Sequence, residues 1–390
     1  MRNPSGKRTA SGLALLAIGF LLAGDTASQT TQTKSSTSSK SERTSVHREN
    51  SVWKWHRNDD SEKLQVTIRG KVEFNDDYSD IKSISDDGDI RIKHDRHGVV
   101  REFEASSNAG SINRVYSING QAGPLDGEAQ KWLAETLYKT VRLAGYDAKA
   151  RVQKILKQNG PRAVLDEIAQ LESDYVKRIY FDELFAQGRL DADNARQALR
   201  LARTEISSDY EKAQLLVKMS GSYLTNDEMR ATYIEAVDTI DSDYERGRAI
   251  SALLKKGELS KDNLLFVIKS AASIKSDYEQ AQLLIKIASG FTLDQAAESA
   301  YLKAVASIGS DYEKGRALSA LLKKDPGRET LLFALKSVSS ITSDYEKAQL
   351  LLKIARSPST DETVRNALVE SARTIASEYE RGRVLSAVFK

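Results

Sequence analysis

Two hydrophobic periods divide the chain. Between Leu64 and Asn119 apolar and polar residues alternate, while from Asp147 onward apolar residues return every three or four positions. Alternation predicts half-buried strands, and the longer spacing predicts amphipathic helices. In the helical part Tyr244, Gly247, Ile250, Leu253 and Leu254 mark one buried face, and Leu264, Leu265, Ile268 and Ala271 mark the next. Such pairs recur behind one motif. Ser-Asp-Tyr-Glu stands at Ser208–Glu211, Ser242–Glu245, Ser276–Glu279, Ser310–Glu313 and Ser343–Glu346. It returns as Ser377-Glu378-Tyr379-Glu380, and more weakly as Ser173-Asp174-Tyr175-Val176. The tyrosines at 175, 210, 244, 278, 312, 345 and 379 are 33 to 35 residues apart. A fixed period of that size predicts an α-solenoid of two-helix repeats.

Each residue of the motif has a local reading. Serine is a helix N-cap, and glutamate three positions later predicts a reciprocal capping box. Aspartate at the first helical position suits the positive end of the helix dipole. Ser173 has Val176 where the glutamate belongs, so a looser start is expected there. The second helix of each pair is expected to begin at Thr225, Ser260, Thr292 and Asp325. The units alternate in type: YEKAQLLVKM, YEQAQLLIKI and YEKAQLLLKI interleave with YERGRAISALL, YEKGRALSALL and YERGRVLSAVF. The residue three after tyrosine is always small: Ala213, Gly247, Ala281, Gly315, Ala348 and Gly382. Glycine inside a helix costs up to about 1 kcal/mol against alanine. Close approach of a neighbouring helix or of the tyrosine ring is the expected reason. Asp147–Gln158 and Pro161–Glu172 form a degenerate pair that reads as the amino-terminal cap of the array. The final helix has no partner after it in this sequence, which predicts a polar-faced cap or pairing with another chain.

The alternating segments before the repeats predict a small antiparallel sheet or β-roll over 61–120, with turns at Asp87-Gly88 and Asn119-Gly120. Trp53, Trp55 and His56 precede it and are expected to cover an edge. A helix over Pro124–Gly145 follows, with proline at its first position and glycine past its end. The fold class is thus α+β multidomain, with the β module ahead of the solenoid. Residues 124–172 supply the connecting helices and cap repeat, and 173–390 the solenoid.

The amino terminus changes the picture of where the protein works. Arg2, Lys7 and Arg8 precede the apolar run Gly12–Gly24, which is short for a membrane span. Residues 1–27 therefore read as a signal peptide or membrane anchor, with a tether to the membrane through residues 9–24 if it is uncleaved. The protein is expected to be exported, periplasmic or anchored facing outside the cytoplasm. Residues 28–60 are rich in serine and threonine and read as a disordered tether. Among 390 residues the net charge is +3 and cysteine is absent. The first gives no field for nucleic acid, and the second excludes disulfides and thiolate chemistry.

Candidate chemistry is sparse. His94 and His97 form His-x-x-His, but in a strand that spacing puts the rings on opposite faces, and a solvated turn is the favoured reading. No metal or cofactor is expected. All four histidines lie before residue 98, no Gly-x-Ser-x-Gly elbow occurs, and carboxylate pairs such as Asp243 and Glu245 are accounted for as caps. What remains is the ladder Tyr210, Tyr244, Tyr278, Tyr312, Tyr345 and Tyr379, with Arg246, Arg248, Arg316, Arg381 and Arg383 as candidate basic contacts. In one reading tyrosine wedges between units while aspartate serves the helix end. In the other, the row lines a groove that grips an extended partner. The unvarying register favours packing.

The repeats have tetratricopeptide length without that consensus. The run KVEFNDDYSDIKSISDDGDIRI, the stretch SINGQAGPLDGEAQKWLAETL and the IxSDYEKAQLL units resemble the extracytoplasmic C-terminal region of bacterial membrane zinc peptidases of the penicillin-sensor type, and related exported proteins of unknown function. The resemblance covers most of residues 62–390. The peptidase half is not present, since no His-Glu dipeptide occurs. The resemblance implies a sensory or docking module without its enzyme. A non-catalytic scaffold that binds a protein partner is the expected function; a cell-envelope hydrolase with an unrecognised site is the alternative.

Overall fold

The computed structural model describes residues 31–33, 43–49, 51–108, 110–257, 259–324 and 326–389. The expected signal peptide or membrane anchor, residues 1–27, and most of the expected tether before residue 43 lie outside the described residues. The chain divides into two units: residues up to 75 with 81–130, and residues 76–80 with 131–390.

The first unit is an antiparallel sheet. Its strands are β1 (Thr31–Thr33), β2 (Arg43–Glu49), β3 (Val52–Asn58), β4 (Glu62–Arg69), β7 (Asp89–Arg96), β8 (Val99–Asn108), β9 (Ser111–Ile118) and β10 (Gln121–Gly123), neighbouring one another in that order. A separate hairpin of β5 (Val72–Phe74) and β6 (Ile81–Ile84) interrupts the meander. Alternation sets the register. Trp55 lies opposite Val66, Val66 opposite Ile92, Ile92 opposite Phe103 and Phe103 opposite Tyr116. This gives one buried row across five strands. A one-residue slip of any strand would move its whole apolar set to the opposite face.

The sheet starts earlier than the sequence reading places it. Residues 43–49 and 52–58 form β2 and β3 instead of tether, and Trp53 and Trp55 sit on the buried face of an interior strand instead of covering an edge. The reason is the short alternation Val52-Trp53-Lys54-Trp55, which carries enough apolar area to fix a strand. His94 is buried in β7 with its Nε2 3.2 Å from Glu62 Oε2, so only His97 belongs to a solvated turn.

The second unit is helical. α1 (Gly127–Ala144) starts three residues after Pro124 because Asp126 caps it, its carboxylate accepting from the amides of Glu128 and Ala129. α2 (Ala148–Gln170) contains the expected degenerate pair, joined through a break at Gly160, where φ is 78°. Thereafter helices alternate between two layers. The odd layer is α3 (Asp174–Ala186), α5 (Asp209–Ser222), α7 (Asp243–Leu254), α9 (Asp277–Gly290), α11 (Asp311–Leu321), α13 (Asp344–Ala355) and α15 (Glu378–Val388). The even layer is α4 (Ala192–Thr204), α6 (Asp227–Val237), α8 (Lys261–Ala272), α10 (Gln295–Ser307), α12 (Arg328–Val338) and α14 (Glu362–Arg373). Each helix packs on the next of its own layer, and one continuous apolar core runs between the layers. Ser260 caps α8 as expected. α6 and α10 start at Asn226 and Asp294, one and two residues later than the threonines, since the amide or carboxylate oxygen there reaches the third amide of the helix. α12 starts after Gly327 with no side-chain cap; the expected Asp325 lies outside the described residues. Inside the core Tyr233 and Tyr301, 68 positions apart, donate to the carbonyls of Ala249 and Ala317 at 2.9 and 2.8 Å. Burial pushes both phenols far above their usual pKa.

Candidate functional site: an exposed tyrosine row

The serines cap every odd helix. The hydroxyls of Ser208, Ser242, Ser276, Ser310, Ser343 and Ser377 accept from the amide three residues on at 3.3–3.4 Å. Ser173 does the same to Val176 at 3.4 Å, so the first start is no looser than the rest. The reciprocal half of the capping box is made differently. The amide of each capping serine donates to the aspartate of the preceding unit: Ser208 to Asp174, Ser242 to Asp209, Ser276 to Asp243, Ser310 to Asp277, Ser343 to Asp311 and Ser377 to Asp344, all at 2.7–2.9 Å. In five of the six the same carboxylate also takes the amide one residue earlier. Aspartate is therefore the tie between units. A hydrogen bond to a charged acceptor of this kind contributes about 1.5–3 kcal/mol. At Asp311 burial pulls the carboxyl upward, but the bonds from Thr342 and Ser343 outweigh it and hold it below the usual range.

Two residues after each tyrosine, a polar side chain turns inward. Lys212 reaches Thr239 Oγ1 at 2.8 Å, Gln280 reaches the Ala304 carbonyl at 3.1 Å, and Lys347 reaches the Thr374 carbonyl at 3.4 Å. These close the carboxyl ends of the even helices. Arg246 and Arg381 occupy the same position. They donate to the carbonyls of Ile240 and Ile375 at 2.7 and 3.0 Å, so these two candidate basic contacts also serve as ties inside the array.

The tyrosines do not wedge between units. Tyr210, Tyr244, Tyr278, Tyr312, Tyr345 and Tyr379 are 50, 60, 55, 60, 57 and 74% exposed. They share one helix position, so consecutive odd helices present them as a row whose register the aspartate–serine ties fix. Beside every second ring stands an arginine four residues on. Arg248, Arg316 and Arg383 lie 5.9, 5.8 and 5.6 Å from the ring centres of Tyr244, Tyr312 and Tyr379. Each also pairs with the motif glutamate of its own helix, Glu245, Glu313 or Glu380, at 2.5–2.8 Å.

In the other units Gln214, Gln282 and Gln349 replace arginine, and the glutamate leans back on the preceding unit. A Cβ on Gly247 would come within 3.3 Å of Glu279 Oε2, and one on Gly315 within 2.9 Å of Glu346 Oε2. The small residue thus makes room for a carboxylate of the next unit, not for a ring or a backbone. Burial, then the nearby Asp311, raise the Glu346 pKa against the opposing pull of Lys353. Lysines missed by the sequence reading complete the face. Lys286 and Lys353 are exposed and donate to Ser251 and Ser319 of the preceding unit at 2.7 and 2.6 Å. Their spacing eight residues after tyrosine was the available signal. A groove of ≈ 320 Å³ lies here, lined by Tyr244, Arg248, Ser251, Lys255, Gln282 and Lys286 among others.

No family model matches the chain, and no curated protein matches it. A solved structure described as "Computational Design of Self-Assembling Cyclic Protein Homooligomers" is similar at 16% identity, covering 65% of this chain and 93% of that one, with a TM-score of 0.12. A likeness that slight carries no argument about this chain.

Proposed function

We propose that the protein is a non-catalytic, exported scaffold, a sensory or docking module, and that it grips a protein partner along the tyrosine row. The exposure of six tyrosines at one repeated helix position is the observation that carries this reading. Packing does not need those rings, because the aspartate–serine ties and the continuous core already join the units, while the inward lysines join the two helices within a unit. Tyrosine and arginine are, with tryptophan, the residues enriched at the energetic anchors of protein interfaces. The motif carboxylates are engaged, Asp243 with the amides of Lys275 and Ser276 and Glu245 with Arg248, which leaves the pair without a free acid or base. Export rests on the charged and apolar pattern of residues 1–27.

Site-specific photocrosslinking in cells tests the reading. A photoreactive phenylalanine analogue at position 278 or 312 is expected to capture a discrete partner. The same group at Phe266, which is 53% exposed on the even layer, serves as the control. Capture from position 266 alone, or none from the tyrosine row, overturns the proposal.

A further inference from the structure

We infer that the partner segment seated on this row is an acidic, proline-rich stretch in the polyproline II conformation, read at one proline per tyrosine. The inference rests on the scaffold reading above and names the chemistry of its ligand.

The first argument is spacing. Consecutive odd helices pack directly on one another, and packed helices lie about 8–10 Å apart. Their tyrosines share one helix position, so the row repeats at that interval. A polyproline II helix has three residues per turn and a rise of 3.1 Å, so it shows the same face every ~9.3 Å. A strand shows the same face every ~6.6 Å and an α-helix every two turns, ~10.8 Å, so both repeats fall outside the 8–10 Å interval that ~9.3 Å falls within. The second argument is surface chemistry. Proline-rich ligands dock on aromatic rings, and their backbone carbonyls have no internal partners. The row offers rings, with Gln214, Gln282 and Gln349 as side-chain donors between them.

The third argument is charge. On this face the glutamates are drawn in: Glu245 and Glu313 pair with Arg248 and Arg316, and Glu279 and Glu346 lie half-buried against Gly247 and Gly315. The lysines Lys255, Lys286, Lys323 and Lys353 are exposed. A ligand running along the row therefore meets ammonium groups outermost, and carboxylates between its prolines complement them. The two unit types also alternate, so Tyr–Arg pairs recur every second unit, or about every six ligand residues on the same 3.1 Å rise.

The test is fluorescence anisotropy with the full chain and labelled (Pro-Pro-Glu)6, which spans about 56 Å at that rise. Binding is expected to weaken at least tenfold in the double variant Tyr278→Ala/Tyr312→Ala, whose helical circular dichroism and melting should stay at the wild-type values. It is also expected to weaken at least tenfold for (Pro-Pro-Lys)6, and for a probe whose triplet register is broken by one glycine at its centre. Tighter binding of a strand-forming (Thr-Glu)9 peptide or of a β-linked oligosaccharide, dependent on the same tyrosines, would overturn the polyproline assignment and leave the scaffold reading standing. Absence of any tyrosine-dependent ligand, together with no crosslinked partner, would sink both. Equal binding of the proline probe to wild type and the tyrosine variant would also defeat the inference.

Discussion

Within the motif, serine acts locally, aspartate acts on the next unit, and glutamate does one of two things by turns. Where arginine stands four residues after tyrosine, the glutamate has a cation in its own helix. Where glutamine stands there, as at Glu346, the carboxylate rests on Gly315 with Asp311 near it. Its pKa is raised first by burial and then by Asp311. The folded state therefore holds the Glu346 proton more tightly than the unfolded chain does. The ionised carboxylate destabilises the fold above its folded pKa, and that penalty is relieved as pH falls toward the ordinary value of 4.5. Glu346→Gln is expected to raise the melting temperature at pH 7, with the gain fading on acidification and gone below that value. A gain that persisted in acid would show that amide packing, not charge, is responsible. Asp311 has the opposite sign: its carboxyl is held low, so its stabilising contribution is present above 3.8 and is lost below it. Of these roles only serine's was legible beforehand, because capping depends on neighbours in sequence. The aspartate acceptor serves amides 31 to 34 positions away, and no local rule points that far. Tyrosine, polar at one end and apolar along its ring, fits a wedge or a surface equally well, and only the packed structure decides.

Helices and strands were legible where a single period runs long enough, and less so at their ends. α6 and α10 begin after the predicted threonines because Asn226 and Asp294 cap them instead. β3 was lost in a polar neighbourhood, since four residues of alternation are a weak signal beside a serine-rich run. The glycines of α7, α11 and α15 test how the elements fit. Each stands in a helix where alanine is favoured by up to about 1 kcal/mol. The surroundings differ: 3.3 Å to Glu279 at Gly247, 2.9 Å to Glu346 at Gly315, and nothing within 4 Å at Gly382. Chemical denaturation of the three alanine variants is expected to rank them. Gly382→Ala should gain most, about 0.5–1 kcal/mol, Gly247→Ala less, and Gly315→Ala least because the Glu346 carboxylate must swing away. Equal gains at all three sites would mean that the glutamates move at no cost and that the small residue has no role in fitting the units.

At the scale of the helical unit, the array is a chain of near-identical interfaces. Its stability is then close to a sum of unit terms and nearest-neighbour terms. The aspartate–serine ties belong to the neighbour terms, and breaking one in the middle should uncouple what lies on either side. Asp277 takes the amides of Gly309 and Ser310 at 2.9 and 2.8 Å and so joins α9 to the start of α11. Asp277→Ala leaves both donors without that acceptor, at a cost of about 1–3 kcal/mol concentrated at one interface. Hydrogen exchange followed by mass spectrometry reads the consequence directly. Protection is expected to fall most in α11 to α15, the shorter side of the break, while α3 to α7 stay close to wild type. The same substitution at Asp344, one tie from the last helix, should release only α15, since Ser377 and Ala376 are the amides it serves. A uniform loss of protection across α3 to α15 in both variants would instead make the array a single cooperative block. In that case the ties would add to global stability without dividing it, and the row of tyrosines would be held in register by the continuous core between the layers.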